Sequence, residues 1–251
     1  MIATRALLLR ATPYRDSDLV VDLLTAAHGR LAALARGARK SRRRFGGVLD
    51  YFNLLHVELG RGRGALGSLG SVELLGSWEV LRTDVDAYCT GSHLLDLARL
   101  GTREGDAAPE LFRLLLGGLD ALQRGAHPAS LARVFQVQAL ARLGYAPVAR
   151  HCPGCGVALG VAAAGRGVVL CRGCAEPTAA VLSAGAVRTL QAAAELPQER
   201  LGALRLPPAL AAEVVPFLDA ALELALGRRP NSVASLPGFG RIDPPPRGLV
   251  P

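Results

Sequence analysis

Apolar and polar positions change their rhythm once along the chain, near Trp78. Before it, residues 3–11, 18–26 and 30–36 are short apolar runs separated by turn chemistry at Pro13 to Asp16 and at His28-Gly29. Runs this short, bounded by turn residues, predict strands. A fourth run follows at 49–59, where Leu55, Val57 and Leu59 alternate with Leu54, His56 and Glu58. Period two predicts a strand with unequal faces. The glycine-rich 60–64 makes a turn into a fifth strand at 65–75. Five short strands, with the longest insertion between the third and fourth, predict a small closed barrel of the OB type.

Beyond Trp78 the spacing becomes helical. Residues 84–100, 109–123 and 130–143 carry amphipathic stripes, clearest in Leu131, Val134, Phe135, Ala139 and Leu143. Pro109 and Pro128 sit at helix starts, and Gly144 is placed to cap the third helix. Further helices are expected at 183–195 and 207–226, the latter kinked or split by Pro216. The expected fold is multidomain β + α: an OB-type five-stranded barrel over 1–80 and an α-helical domain over 81–232. A module around cysteines is inserted at 148–177, and 233–251, rich in Pro and Gly, is expected to be a disordered tail.

Charge adds a location. The chain of 251 residues has a formal net charge of +8 and a sequence pI near 9.9. Residues 1–82 hold thirteen Lys/Arg against seven Asp/Glu, whereas 83–251 hold sixteen against fourteen. The excess is densest at 36–47, RGARKSRRRFGG, with Arg36, Arg39, Lys40, Arg42, Arg43 and Arg44 and no acid. Such a cluster is too costly to bury and faces water or a polyanion. Nucleic acid is the polyanion that this charge fits best, although a membrane surface or an acidic protein carries the same sign. Arg61 and Arg63, in the turn of the fourth and fifth strands, are further candidate phosphate contacts. Gly62, Gly64 and Gly67 match GxGxxG there, but a strand follows them instead of the helix that a dinucleotide site needs. Phe45, Tyr51 and Phe52 are aromatics near the basic run; core packing is the stronger expectation for each than base stacking.

Chemistry concentrates in the second half. Cys152-Pro-Gly-Cys155 is followed after fifteen residues by Cys171-Arg-Gly-Cys174. Two CxxC knuckles at that separation favour a four-thiolate zinc site over disulfides or a redox pair, and four protein ligands leave no open position for substrate. Zinc here is expected to be structural. His151 adjoins the first knuckle and is the alternative ligand, with a place beside the cluster or in solvent the stronger expectation; Cys89 is read as a small core residue, and His28, His56, His93 and His127 form no cluster by spacing. No phosphate loop, HExxH or GxSxG motif occurs, so the chain is expected not to be an enzyme. No run approaches the roughly eighteen apolar residues of a membrane span, and Arg5 and Arg10 interrupt the apolar N-terminus. A cytoplasmic, nucleoid-associated protein is expected.

These segments together resemble the RecO family of bacterial recombination mediators. The likeness rests on LARGARKSRRRFGG, on RDSDLVVDLLTAAHGRL and LDYFNLLHVEL around it, on CPGCG and LCRGCA, and on VLSAGAVRTL and LGRRPNS further on. It implies a non-enzymatic DNA repair protein that binds single- and double-stranded DNA and anneals complementary strands. It also implies joining RecR to help load RecA on strands coated by single-strand-binding protein, whose C-terminal tail the helical domain contacts. DNA contact then falls on the basic run, and the metal on the four cysteines. An RNA-binding zinc factor or a nucleic-acid-processing enzyme is the alternative from a different class.

Overall fold

The computed structural model describes residues 1–41, 45, 47–60 and 66–237. Strands β1 (Ile2–Tyr14), β2 (Asp18–Thr25), β3 (Gly29–Ala35), β4 (Asn53–Gly60) and β5 (Gly67–Ser77) close into a barrel in the order β1-β2-β3-β5-β4. β1 pairs with both β2 and β4, and β3 meets β5 in parallel at Ala33↔Gly67. This is the five-stranded OB-type barrel that the alternating pattern predicts.

The middle of β1 shows why barrel and helices cohere. Ala6, Leu7, Leu8 and Leu9 are all buried. Their side chains alternate faces. Ala6 and Leu8 join Val21, Leu23, Ala33, Phe45, Leu55 and Val57 inside the barrel. Leu7 and Leu9, on its outside, join Leu24, Phe52 and Trp78 in the core of the helical half.

That half comprises α1 (Val80–Thr83), α2 (Val85–Gly101), α3 (Pro109–Gln123), α4 (Pro128–Arg142), α5 (Ala184–Glu195) and α6 (Pro208–Leu226). Pro109 and Pro128 are first residues of their helices, where a missing N–H costs nothing. Asp84 caps α2 by accepting from the Ala87 N–H. Pro216 does not split α6. Val214, Phe217, Leu218, Ala221 and Leu222, on both sides of the proline, hold the two halves on one core. The start of the segment expected to be a disordered tail, from 233, is ordered: Val233 lies in a 3-10 helix at Asn231–Ser235, and both it and Leu236 are buried. Composition alone missed this because two apolar residues suffice to dock a short segment. Residues 238–251 lie outside the described residues.

A backbone seam joins the halves. Gly29, at φ +59, sits against the loop after α2, where an added Cβ would fall 1.8 Å from the Asp106 carbonyl oxygen. Arg30 N–H donates to Arg103 O at 3.4 Å, and Gly105 N–H donates to Arg30 O at 3.1 Å.

A buried polar chain ties the C-terminal segment to the helices. Arg133 pairs with Asp219 at 2.9 Å and donates to Gln136 Oε1 at 2.9 Å, which turns the Gln136 amide nitrogen toward His93 Nε2 at 2.9 Å. Nε2 therefore accepts, and Nδ1 carries the hydrogen, donating to Ser232 Oγ at 2.9 Å. The Ser232 hydroxyl donates to Asp96 at 2.8 Å, and Asp96 pairs with Arg99. His93, unremarkable in sequence, is the centre of this chain. Burial, reinforced by Arg133, pushes its pKa down from 6.5 to about 3. An unfolded chain takes up this proton below pH 6.5 and the folded chain does not. The stability His93 contributes is thus present above pH 6.5 and is lost as pH falls toward 3. Between pH 7 and 5 the loss is about 2 kcal/mol. Denaturant melts at both pH values should show it, and His93→Gln should shrink the difference by that amount.

Candidate nucleic-acid interface and metal centre

The basic run leaves β3 at Ala35. Gly37 turns the chain at φ +69, and the N–H groups of Lys40 and Ser41 donate to Gly37 O at 3.1 and 2.9 Å. Arg36, Arg39 and Lys40 are exposed on this turn. Arg42, Arg43 and Arg44, like Arg61 and Arg63, lie outside the described residues. The run is anchored at its far end by Phe45, only 2% exposed within the barrel core. Phe52 is likewise buried at 1%, and Tyr51 is half-buried against the helical core. The aromatics nearest the run in sequence therefore pack inward.

The turn between β1 and β2 supports the basic loop. Arg39 N–H donates to Ser17 O at 3.0 Å, and Gly37 N–H donates to Asp18 Oδ1 at 2.8 Å. That Gly37 bond holds the Asp18 carboxyl below its usual range, aided by Ser17 and by Arg15 and Arg36. Asp18 serves as a lock between two loops while arginines surround it. The β1–β2 turn had no sequence signal for this role beyond its position before a strand. Arg82 turns toward the chain entering β4: it donates to Tyr51 O at 2.7 Å and to Asn53 Oδ1 at 2.6 Å. It braces the chain entering β4.

The cysteine module is built on two tight turns and a three-stranded sheet in the order β7-β6-β8, with β6 (Ala162–Ala164), β7 (Val169–Cys171) and β8 (Val181–Leu182). In the first knuckle Gly156 N–H donates to Cys152 O at 2.8 Å with Gly156 at φ +77. In the second, the N–H groups of Cys174 and Ala175 both donate to Cys171 O at 3.1 Å. Gly154 lets backbone approach the other knuckle: an added Cβ would meet Cys174 Sγ at 3.1 Å. Ala162, Val169 and Leu182 give their side chains to the main helical core. Arg150 pairs with Glu195 of α5 through two bonds of 2.9 Å.

The four sulfurs lie within 4.8 Å of one another, and Cys155 Sγ and Cys171 Sγ are 3.5 Å apart. A tetrahedral zinc with Zn–S bonds of about 2.3 Å puts its sulfurs about 3.8 Å apart, so the donor set fits. Charge supports the same conclusion. Backbone N–H groups, first that of Cys171, lower the Cys152 thiol to about 6. Hydrogen bonds to Cys155, Cys171 and Cys152 push Cys174 up to about 12. Four such thiols cannot all ionise together unless a cation joins them. The sequence pairing of Cys152, Cys155, Cys171 and Cys174 is thus brought together in space, and the cluster can hold a metal ion. His151 is exposed and outside the cluster. Cys89, only half-buried, is pushed up by burial, as expected of an unreactive thiol.

Comparison with known proteins covers both halves. The profile described as Recombination protein O N terminal matches residues 1–78, and that described as Recombination protein O C terminal matches residues 82–234. A DNA repair protein RecO of Geobacter sulfurreducens is 40% identical over 239 residues, covering 94% of this chain and 97% of that protein. One from Anaeromyxobacter sp. strain K is 40% identical over 231 residues, covering 88% and 90%. One from Myxococcus xanthus is 36% identical over 239 residues, covering 91% and 93%. With both halves matched in order and nearly the full length of these relatives aligned, the chain belongs to the RecO family.

Proposed function

We propose that this chain is a recombination mediator in DNA repair, acting by binding rather than by making or breaking bonds. The relatives' names supply the repair context. The observation that carries the mechanism is the exposed cluster Arg36, Arg39 and Lys40 on a loop braced by the β1–β2 turn. Phosphates of single- and double-stranded DNA bind this surface by displacing counterions. Arg42, Arg43, Arg44, Arg61 and Arg63 extend it in our reading. Two strands held on one basic surface repel each other less, which favours annealing of complements. Phosphate contacts carry no base readout, which suits a protein that acts on any strand.

The expected partners are RecR, the acidic C-terminal tail of single-strand-binding protein, and indirectly RecA. Zinc on the four cysteines is structural in this proposal, holding the inserted module against α5 and the main core. Cytoplasmic placement accords with reduced thiols, and among the described residues no helix is long and apolar enough to cross a membrane.

Annealing of complementary oligonucleotides without ATP, read by fluorescence, together with capture of RecR, tests the proposal. Both are expected. Preference for RNA, or cleavage of the strands, would instead favour an RNA-binding zinc factor or a processing enzyme.

A further inference from the structure

We propose that Tyr14, with Arg15 over one of its faces, is a stacking platform for an unpaired nucleobase, a role resting on the DNA-binding reading above. Five aromatic side chains occur in residues 1–80: Tyr14, Phe45, Tyr51, Phe52 and Trp78. Phe45, Phe52 and Trp78 are buried and Tyr51 is half-buried beside Phe52. Tyr14 is 44% exposed. It alone of the five presents a substantial ring surface to solvent, and an exposed ring gains little from the fold.

Its setting is specific. Tyr14 is the last residue of β1, paired with Asp18 across the turn. Arg15 follows in the left-handed region at φ 54, which costs a non-glycine residue about 1 kcal/mol. Backbone held in that region by its surroundings often marks a functional turn. The Arg15 guanidinium lies 5.2 Å from the Tyr14 ring centroid, a cation–π contact that orients the ring. The same turn is joined to the basic loop by Gly37–Asp18 and Arg39–Ser17. Tyr14, paired with Asp18, thus stands on the turn that braces the loop of Arg36, Arg39 and Lys40, the surface to which the reading above assigns the phosphates.

Two carboxylates share this end of the barrel. Asp18 is engaged by Gly37 and Ser17, and Asp16 offers its carbonyl to Arg39 at 3.5 Å. The cations Arg15, Arg36, Arg39 and Lys40 outnumber them. Every base has a π-face, so the platform is indifferent to sequence. It is not indifferent to pairing, because bases inside a duplex are already stacked.

The test uses the full chain and three equal-length probes: an oligothymidylate, an abasic strand and a duplex, each followed by fluorescence anisotropy. Tyr14→Ser is expected to weaken oligothymidylate binding about tenfold and to leave the abasic strand and the duplex unchanged. Tyr14→Phe, which keeps the ring, should bind like the parent, and a 2-aminopurine in the single strand should lose its stacking quench only in Tyr14→Ser. Equal loss on all three probes would mean that the ring acts through loop structure, and undiminished oligothymidylate binding would mean no platform; either overturns the proposal. A parent chain that binds none of the probes overturns the DNA-binding reading itself, a result distinguishable from both.

Discussion

Reversing charge at Arg39, Arg42 and Arg43 to glutamate is expected to lower affinity for single-stranded DNA by about 100-fold at roughly 0.1 M salt. The size follows from counterion release. Each phosphate contact contributes about 0.7 to the slope of log affinity against log salt on single strands, so three lost contacts remove about 2 from the slope. Extrapolated to about 1 M, where release gives no advantage, parent and variant should converge. Titrations across a salt series measure both numbers, and unchanged affinity with unchanged slope would refute the loop's role. Arg61→Ala with Arg63→Ala is the comparison: a larger loss there would move the principal contact to the segment between β4 and β5. The triple change should leave folding intact, because the loop's anchors are Gly37, Asp18 and Phe45.

Metal removal is the second large effect. One zinc per chain is expected in protein purified without added metal. Chelation, or Cys155→Ser with Cys174→Ser, is expected to lower the melting temperature by roughly 10 °C, corresponding to about 3 kcal/mol or more for a chain of this size. The cost reaches beyond the knuckles because Ala162, Val169 and Leu182 line the main core; a loosened module uncovers them, and proteolysis should begin within 148–177. Acid should release the metal, since protons compete for the thiolates as pH falls. A metal-free protein with normal stability would refute the structural role.

How far these features could be read without coordinates depended on whether their cause was local. Alternation at Leu55, Val57 and Leu59 and the helical stripe through Leu131 and Phe135 record which face is buried, so strands and helices followed from them. The CxxC pairs announce a cluster that can hold a metal ion because each knuckle is a four-residue turn. Phe45 and Phe52 meet the expectation of core packing, since both are buried. His93 is opaque in sequence, since its partners Gln136 and Ser232 are distant and only the packing of α2 on α4 and on the 3-10 helix at Asn231–Ser235 unites them. Pro216 leaves α6 unsplit because buried residues on both sides outweigh the lost backbone hydrogen bond. The joining of the β1–β2 turn to the basic loop follows from the register of β2 on β3, which sets Leu19 opposite Ala35, a pairing that neither segment encodes alone.

The seam at Gly29 bears on the proposed DNA binding. Gly29→Ala should be poorly tolerated, because its Cβ would overlap the Asp106 carbonyl and its φ disfavours a side chain. With β3 fixed there to the loop after α2, and Leu7 and Leu9 sunk into the helical core, the described β3 end of the basic loop is oriented relative to the helices before any ligand binds. Little orientational entropy between the halves is left to lose on association. Under the proposed function, a strand held at Arg36, Arg39 and Lys40 would therefore take its direction from the whole molecule and keep a set angle to the helices.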